Sequence, residues 1–337
     1  MERFALLQDF VDGSGPAGPV LAINPAPSPL LSSLTAPDCI QPDYRLARAL
    51  RERGHTVVDQ PAPPYQTTLV RLGRSREETN GRVALAWSAT ATGGLIAISG
   101  AKTDGIDTLS KSLKGAGVDL DAMPKAHGKL LVIRRTDAAP EILDDWAKAA
   151  EPAQNDGGFW TVPGIFSPAK VDGGTALLIE TLPADLKGPA LDLGAGWGAL
   201  SAALLEKNPA ITELTLIEAD QRAIALAERN VLDSRTKFVW GDATDAETVP
   251  MGMDVIVMNP PFHEGRKGEP QLGVAFIQSA ARALTGRGQL LMVANRHLPY
   301  EKTLEDCFGK IERVADNGAF KVIRASRPQT RKGRGRR

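Results

Sequence analysis

The sequence predicts an α/β protein of two tandem doubly wound sheets, the second complete and the first a degraded copy of it. Three observations carry this. In residues 161–326 four apolar runs end, in order, on Gly194-Ala195-Gly196-Trp197-Gly198, on Glu218, on Asp242-Ala243 and on Asn259-Pro260-Pro261-Phe262, with helical stretches between them. The same half closes on two strands, 311–315 and 319–323, joined through Asn317-Gly318, a dipeptide that tolerates the positive φ of a tight hairpin. The amino-terminal half repeats the alternation with a helix over 44–53, a strand over 67–72, a helix over 76–91, a strand over 94–98 and a helix over 106–114.

The first half begins with Gly18-Pro19-Val20-Leu21-Ala22-Ile23-Asn24-Pro25-Ala26-Pro27-Ser28, which can be laid over Gly188-Pro189-Ala190-Leu191-Asp192-Leu193-Gly194-Ala195-Gly196-Trp197-Gly198. Gly, Pro and Leu match. The groups a ligand would use are replaced: Ala22 stands at Asp192, Asn24 at Gly194, Ala26 at Gly196 and Ser28 at Gly198. Residues 1–140 therefore read as a degenerate domain without its ligand site. Pro140, Pro152 and Asn155-Asp156-Gly157-Gly158 mark 141–160 as a connection. In the second domain, 161–326, a helix over 172–183 precedes strands near 189, 213, 236 and 253, which are separated by helices over 198–207 and 220–232. A helix over 272–285, a strand over 289–293 and a helix over 301–307 lead to the closing pair. Residues 327–337 have almost no apolar content and read as a disordered basic tail.

At 337 residues the chain is long enough for two cores, and its 40 basic side chains balance 40 acidic ones. The balance hides an asymmetry. Lys321, Arg324, Arg327, Arg331, Lys332, Arg334, Arg336 and Arg337 follow one another with no acid among them, so the preceding body is acidic. On an acidic body, such an end suits a phosphate tether. Cys39 and Cys307 stand far apart and there are four histidines, which offers no metal-ligand cluster and no disulfide framework. Met1-Glu2-Arg3-Phe4 opens no signal peptide, and no run approaches the roughly 18 apolar residues of a membrane span. A cytoplasmic location and no membrane partner are expected.

The strand ends carry the chemistry. Three glycines after Asp192 let a ligand approach the backbone at the start of a helix. Glu218 ends the next strand, where a doubly wound sheet holds ribose hydroxyls, and Asp242 ends the third, where a carboxylate would accept from an adenine amine. A dinucleotide turn keeps its third glycine at the sixth position to admit a pyrophosphate; here Gly198 comes at the fifth. Asp192 suits the cationic end of a methionine moiety and would repel a pyrophosphate, so the expected cofactor is S-adenosylmethionine. Asn259-Pro260-Pro261-Phe262 is a device for a planar amine: the Asn259 side-chain oxygen and the Pro260 carbonyl accept its hydrogens, Phe262 covers the ring, and the prolines hold φ near −65°. Trp197 reads as a packing residue of the first helix.

These residues resemble the ribosomal RNA guanine-N2 methyltransferases of the RsmC and RlmG type. The resemblance rests on Val162-Pro163-Gly164-Ile165-Phe166-Ser167, Asp172-Gly173-Gly174-Thr175, the turn over 192–198, Asn259 to His263, Val293-Ala294-Asn295, Leu298-Pro299-Tyr300 and Phe320-Lys321-Val322, and covers nearly all of 160–325. The Asn-Pro-Pro-Phe-His, Ala-Asn and Leu-Pro-Tyr runs are most similar to the small-subunit branch. The resemblance implies a seven-stranded, Rossmann-like class I S-adenosylmethionine-dependent methyltransferase behind a degenerate copy that helps it fold and grip RNA.

It also implies that Asp172 and Thr175 reach the methionine end, although both residue types would serve equally to cap the helix that starts there. With Asp192, Gly194, Ala195, Gly196, Gly198, Glu218, Asp242, Ala243 and Asn259 they make the expected cofactor set, and Asn259, Pro260 and Phe262 the catalytic one. His263, Arg266, Lys267, Lys321, Arg331, Lys332 and Arg334 are the expected RNA contacts. The expected partner is ribosomal RNA or the small ribosomal subunit, met by a monomer. The same clamp serves adenine-N6 and protein glutamine-N5 methylation, and a non-catalytic RNA-binding ribosome assembly factor would retain a similar shell.

Overall fold

A computed structural model describes residues 18–62, 64–125, 128–261 and 270–329. The chain divides at Pro152 into two compact units, with Val162–Gly164 belonging to the first. Among the described residues each unit carries one seven-stranded sheet.

The first sheet contains β1 (Val20–Ile23), β2 (Asp38–Ile40), β3 (Thr56–Val57), β4 (Tyr65–Arg71), β5 (Thr90–Ala101), β6 (Leu120–Lys125) and β7 (Gly128–Arg134) in the order β3-β2-β1-β4-β5-β7-β6. A two-stranded ribbon, β8 (Ala153–Gln154) with β9 (Trp160–Thr161), opens the second unit. Its sheet contains β10 (Gly188–Leu193), β11 (Ile211–Glu218), β12 (Thr236–Trp240), β13 (Met253–Met258), β14 (Leu284–Asn295), β15 (Phe308–Asp316) and β16 (Phe320–Pro328) in the order β12-β11-β10-β13-β14-β16-β15. In both sheets five strands run parallel and the last two join antiparallel. This is the two-domain doubly wound arrangement the sequence predicts.

The two sheets agree in register as well as order. Val20 pairs with Thr67 as Ala190 pairs with Val255, and Leu95 pairs with Arg134 as Gln289 pairs with Ser326. Even an irregularity is repeated: pairing shifts between Tyr65 and Thr67 against β5, and between Met253 and Val255 against β14. Gly94 and Gly288 sit at these shifts, where a Cβ would come within 2.8 Å of the carbonyl oxygens of Gln66 and Met253 respectively.

The central strands are apolar on both sides because helices cover both faces. On β10, Leu191 and Leu193 pack with Phe276, Ile277 and Ala280 of the helix Pro270–Ala283, while Ala190 packs with Leu200 and Leu204 of the helix Ala199–Lys207. Strand alternation therefore turns position 192 toward the helix Ala199–Lys207, the face on which the glycine turn opens.

Three segments differ from the sequence expectation. Residues 142–149, read as connection, form the helix Ile142–Ala149, whose Leu143 and Trp146 are buried in the core of the first unit; the flanking prolines bound a helix rather than a linker. The last strand runs to Pro328, and Gln329 N–H donates to the Cys307 carbonyl at 2.8 Å, so 327–329 continue the sheet and are not part of the tail. The β6–β7 hairpin of the first unit carries no Asn-Gly or Asp-Gly signal and was not expected. No helix among the described residues is long and apolar enough to cross a membrane.

Candidate active site

The turn after β10 is built for glycine. Gly194, Gly196 and Gly198 take φ of +75°, +55° and +93°. The last two serve different ends. A Cβ on Gly198 would come 2.7 Å from Val231 Cγ2, so this glycine lets the turn pack. A Cβ on Gly196 would meet nothing within 4 Å, so the fold leaves open space over its backbone. Glu218 braces the turn from the end of β11: one carboxylate oxygen accepts from Gly196 N–H and the other from Asp220 N–H, both at 2.9 Å. Burial pushes the Glu218 carboxyl up, against the lowering effect of those backbone donors.

Phe166, Ser167, Val171, Asp172, Thr175, Asp192, Trp197 and Asn259 line a pocket with the turn. Asp192 is 1 % exposed. Ser201 Oγ donates to its Oδ2 at 2.7 Å, and its Oδ1 is buried with no partner among the described residues. Burial, and secondarily the charge of Glu218, push this carboxyl up to about 7, while the Ser201 hydrogen bond pulls it down.

Asn259 stands at the carboxyl end of β13, beside the first turn of the helix Gly173–Thr181. Asp172 caps that helix, accepting from Gly174 N–H at 2.9 Å and Thr175 N–H at 3.1 Å. The same Asp172 Oδ2 accepts from Asn259 Nδ2 at 3.1 Å, and Thr175 Oγ1 accepts from it at 2.8 Å. A carboxylate only accepts, so Asp172 fixes which end of the amide faces it. Asn259 Oδ1 is left buried and without a partner among the described residues. Such an orphan acceptor is costly unless a ligand donor meets it.

The structure thus brings together Asp172, Thr175, Asp192, Gly194, Ala195, Gly196 and Asn259 in one pocket wall. Gly198, Glu218, Asp242 and Ala243 lie outside that wall. Asp242 Oδ1 accepts from Thr244 N–H at 2.8 Å and Thr244 Oγ at 2.7 Å, closing its own turn, and Ala243 is buried in the core. Pro260 is buried after Asn259. Phe262, His263, Arg266, Lys267, Arg331, Lys332 and Arg334 lie outside the described residues. Lys321 corrects an expectation: it is 1 % exposed, and its ammonium donates to the Leu298 carbonyl at 2.8 Å and to Glu301 at 2.5 Å. Its charge is satisfied inside the sheet, where RNA cannot reach it.

Sequence reasoning missed several parts of the wall. Trp197 packs as expected, but it also lines the pocket and donates from Nε1 to the Phe166 carbonyl at 3.1 Å. That bond holds Phe166, 59 % exposed, at the pocket, beside Ser167 with φ +46°. Asn230 binds both Trp160 backbone groups and the Trp197 carbonyl at 2.7–2.9 Å. An aromatic between turn formers at Gly164 and Ser167 was the available signal for Phe166; Asn230 has none, because its partners are remote in sequence.

Residues 156–324 match the family described as Methyltransferase small domain. The chain is 35 % identical over 238 residues to ribosomal RNA small subunit methyltransferase C of Shewanella loihica, covering 68 % of each chain. With the Pseudomonas paraeruginosa protein of the same name it shares 32 % identity over 275 residues, 80 % of this chain and 81 % of that one. Among solved structures, the T. thermophilus 16S rRNA N2 G1207 methyltransferase (RsmC), in complex with AdoMet and guanosine, superposes with a TM-score of 0.80 at 25 % identity, over 96 % of this chain and 91 % of that one. By sequence and by fold the chain belongs to the ribosomal RNA small subunit methyltransferase C family.

Proposed function

We propose that the protein methylates the exocyclic N2 amine of a guanine in small-subunit ribosomal RNA, using S-adenosylmethionine bound over the Gly194–Gly198 turn. The observation that carries this is the orphan Asn259 Oδ1, a buried acceptor fixed by Asp172 and Thr175 beside a pocket whose other unpartnered polar atom is an acid.

The residues fit the cofactor. Open space over Gly196 admits its backbone approach, and Asp192 Oδ1 offers a carboxylate oxygen to its ammonium. Glu218, already within reach of the turn, is the residue for the ribose hydroxyls, and Asp242 for the adenine amine. When bound, the cofactor supplies an electrophilic methyl group on a sulfonium.

The rest is the work of this chain. An arylamine is a weak nucleophile because its lone pair is delocalised into the ring. Asn259 Oδ1 and the Pro260 carbonyl accept its two hydrogens, which orients that lone pair and restores some of its density. The prolines keep both acceptors in place. Asp172 and Thr175 act on the amide of Asn259, so the groups expected to touch the methionine end also aim the clamp. No strong base is needed, since the alkylated amine is acidic and loses its proton to water. A target base leaves its stack to enter such a pocket, and a ribosomal substrate supports a cytoplasmic location.

Incubating the protein and labelled S-adenosylmethionine with small subunits that lack the modification, then digesting the RNA to nucleosides for mass spectrometry, tests this. N2-methylguanosine from the 16S RNA is the expected product. Label in N6-methyladenosine, or in a protein glutamine, would replace this reading with one of the other amine substrates.

A further inference from the structure

Asp192 and Ser201 form an arrangement that cofactor contact alone does not explain. Ser201 is fully buried and Asp192 is 1 % exposed, yet no cation pairs with the carboxylate among the described residues. From β11, Glu218 adds a second negative charge; from the helix Ala199–Lys207, only the neutral Ser201 hydroxyl faces it. That hydroxyl occupies Oδ2 at 2.7 Å, which leaves Oδ1 as the oxygen of this pocket-lining carboxyl that has no partner among the described residues.

We propose that Ser201 and Asp192 make a proton-linked cation seat, in which a proton and the ligand's ammonium compete for Asp192 Oδ1 and Ser201 is the positioning residue that confines both to that atom. The inference rests on the cofactor reading above. The balance is simple: the neutral acid meets the ammonium, the O–H bond breaks, the carboxylate keeps the electron pair and faces the cation, and one proton goes to solvent. Two features favour the neutral acid in the ligand-free protein, burial and the neighbouring Glu218. A cation at Oδ1 reverses both. A carboxyl titrating at about 7 is largely protonated below neutral pH, so the exchange falls in an accessible range.

Calorimetric titration of the full-length protein with S-adenosylmethionine, in buffers of equal pH and different ionisation heat, counts the proton. An α-amine titrates near 7.7–8.0, so below pH 7 the ligand is already charged and any proton released comes from the protein. The expected release is close to one proton per ligand near pH 6, about half near pH 7 and little above pH 8. Adenosine, which has no ammonium, should bind without release. Asp192→Asn should abolish the release, whereas Glu218→Gln, which removes a neighbouring negative charge, should move the release curve to lower pH without abolishing it. Ser201→Ala removes the donor that favours the carboxylate, so its release curve should move to higher pH and its affinity loss should shrink as pH rises. Ser201→Thr should restore both. A merely structural Ser201 would instead lower affinity by the same factor at every pH. Binding without proton release, or release that survives Asp192→Asn, overturns the inference while leaving the cofactor site standing; failure of the wild-type protein to bind overturns both.

Discussion

Asn24 follows strand β1 where Gly194 follows β10, and both residues sit at positive φ, 56° and 75°. Asn24 N–H donates to the Ile40 carbonyl at 2.8 Å as Gly194 N–H donates to that of Ile217 at 2.9 Å. The helices that follow start at Pro29 and Ala199, after Ser28 and Gly198. Further on, Asp43 caps the helix after β2 and pairs with Arg45, as Asp220 caps the helix after β11 and pairs with Arg222. The strand ends and helix caps around the turn have been kept where its chemistry has not.

Past Asn24 the backbones part, since Ser28 is extended at φ −155° where Gly198 stands at +93°, and Ala26 lacks the positive φ of Gly196; the remaining differences are in side chains. Gln41 holds the place of Glu218, accepting from Asp43 N–H at 2.9 Å as Glu218 accepts from Asp220 N–H, but its amide donates to Asn24 Oδ1 and the Pro25 carbonyl. Ile23 pairs with Val70 as Leu193 pairs with Met258, so Arg71 holds the place of Asn259. Its guanidinium donates to the Asn24 carbonyl at 2.6 Å and to Asn24 Oδ1 at 3.3 Å. In the first unit, then, Asn24, Gln41 and Arg71 satisfy one another across the strand ends, whereas in the second unit Asp192 and Asn259 keep buried, unanswered oxygens. A doubly wound sheet needs the register and the caps; it does not need the site. Where a site is not used, its polar groups become ordinary structural hydrogen bonds.

The largest effect expected from breaking this contrast is at the clamp. Asn259→Ala should leave S-adenosylmethionine affinity nearly unchanged and cut kcat by two to three orders of magnitude, about 2.7–4 kcal/mol of transition-state stabilisation. Steady-state and single-turnover assays check this, and substantial retained turnover would remove Asn259 from its role.

A smaller effect, of opposite sign in the two halves, is expected for stability. The Asp192 carboxyl titrates at about 7 in the folded protein and at about 3.9 unfolded, so between these values the folded state holds the extra proton. Stability of the ligand-free protein therefore falls as pH rises through that window, and the cost is complete above it. The full shift sets an upper limit of about 4 kcal/mol. Asp192→Asn should recover part of that amount at pH 8 and almost nothing at pH 4 in chemical denaturation. Ala22, its 1 %-exposed counterpart, has no such history, and Ala22→Asp should destabilise at pH 8.

Smaller still is the plug. Arg71→Ala leaves the Asn24 acceptors short of a donor and should cost roughly 1–3 kcal/mol in denaturant melts without creating a second cofactor site.

Much of this architecture was legible from sequence because it is written in local chemistry. Glycines at positive φ, acids at strand ends and Asn317-Gly318 each announce a backbone requirement on the spot. The plug was not legible, since matching Arg71 to Asn259 needs the pairing register of β4 rather than any local pattern. Lys321 misled for a related reason: in a run of cations it reads as surface, but strand alternation turns it inward, onto Leu298 and Glu301. Asp172 and Thr175 line the pocket beside the glycine turn, and their hold on Asn259 joins residues far apart in the chain. The helix Ile142–Ala149 was hidden by its bounding prolines, although Leu143 and Trp146 have helical spacing.

The central claim is that one shared frame carries one working site, and binding stoichiometry tests it most directly. Equilibrium dialysis of the full chain with labelled S-adenosylmethionine should give one ligand per chain. Gly196→Val, which fills the open space over the turn at a residue with φ +55°, should abolish binding, and Ala26→Val at the matching place in the first unit should not. A second equivalent of ligand, or binding that survives Gly196→Val and is lost in Ala26→Val, would contradict the account.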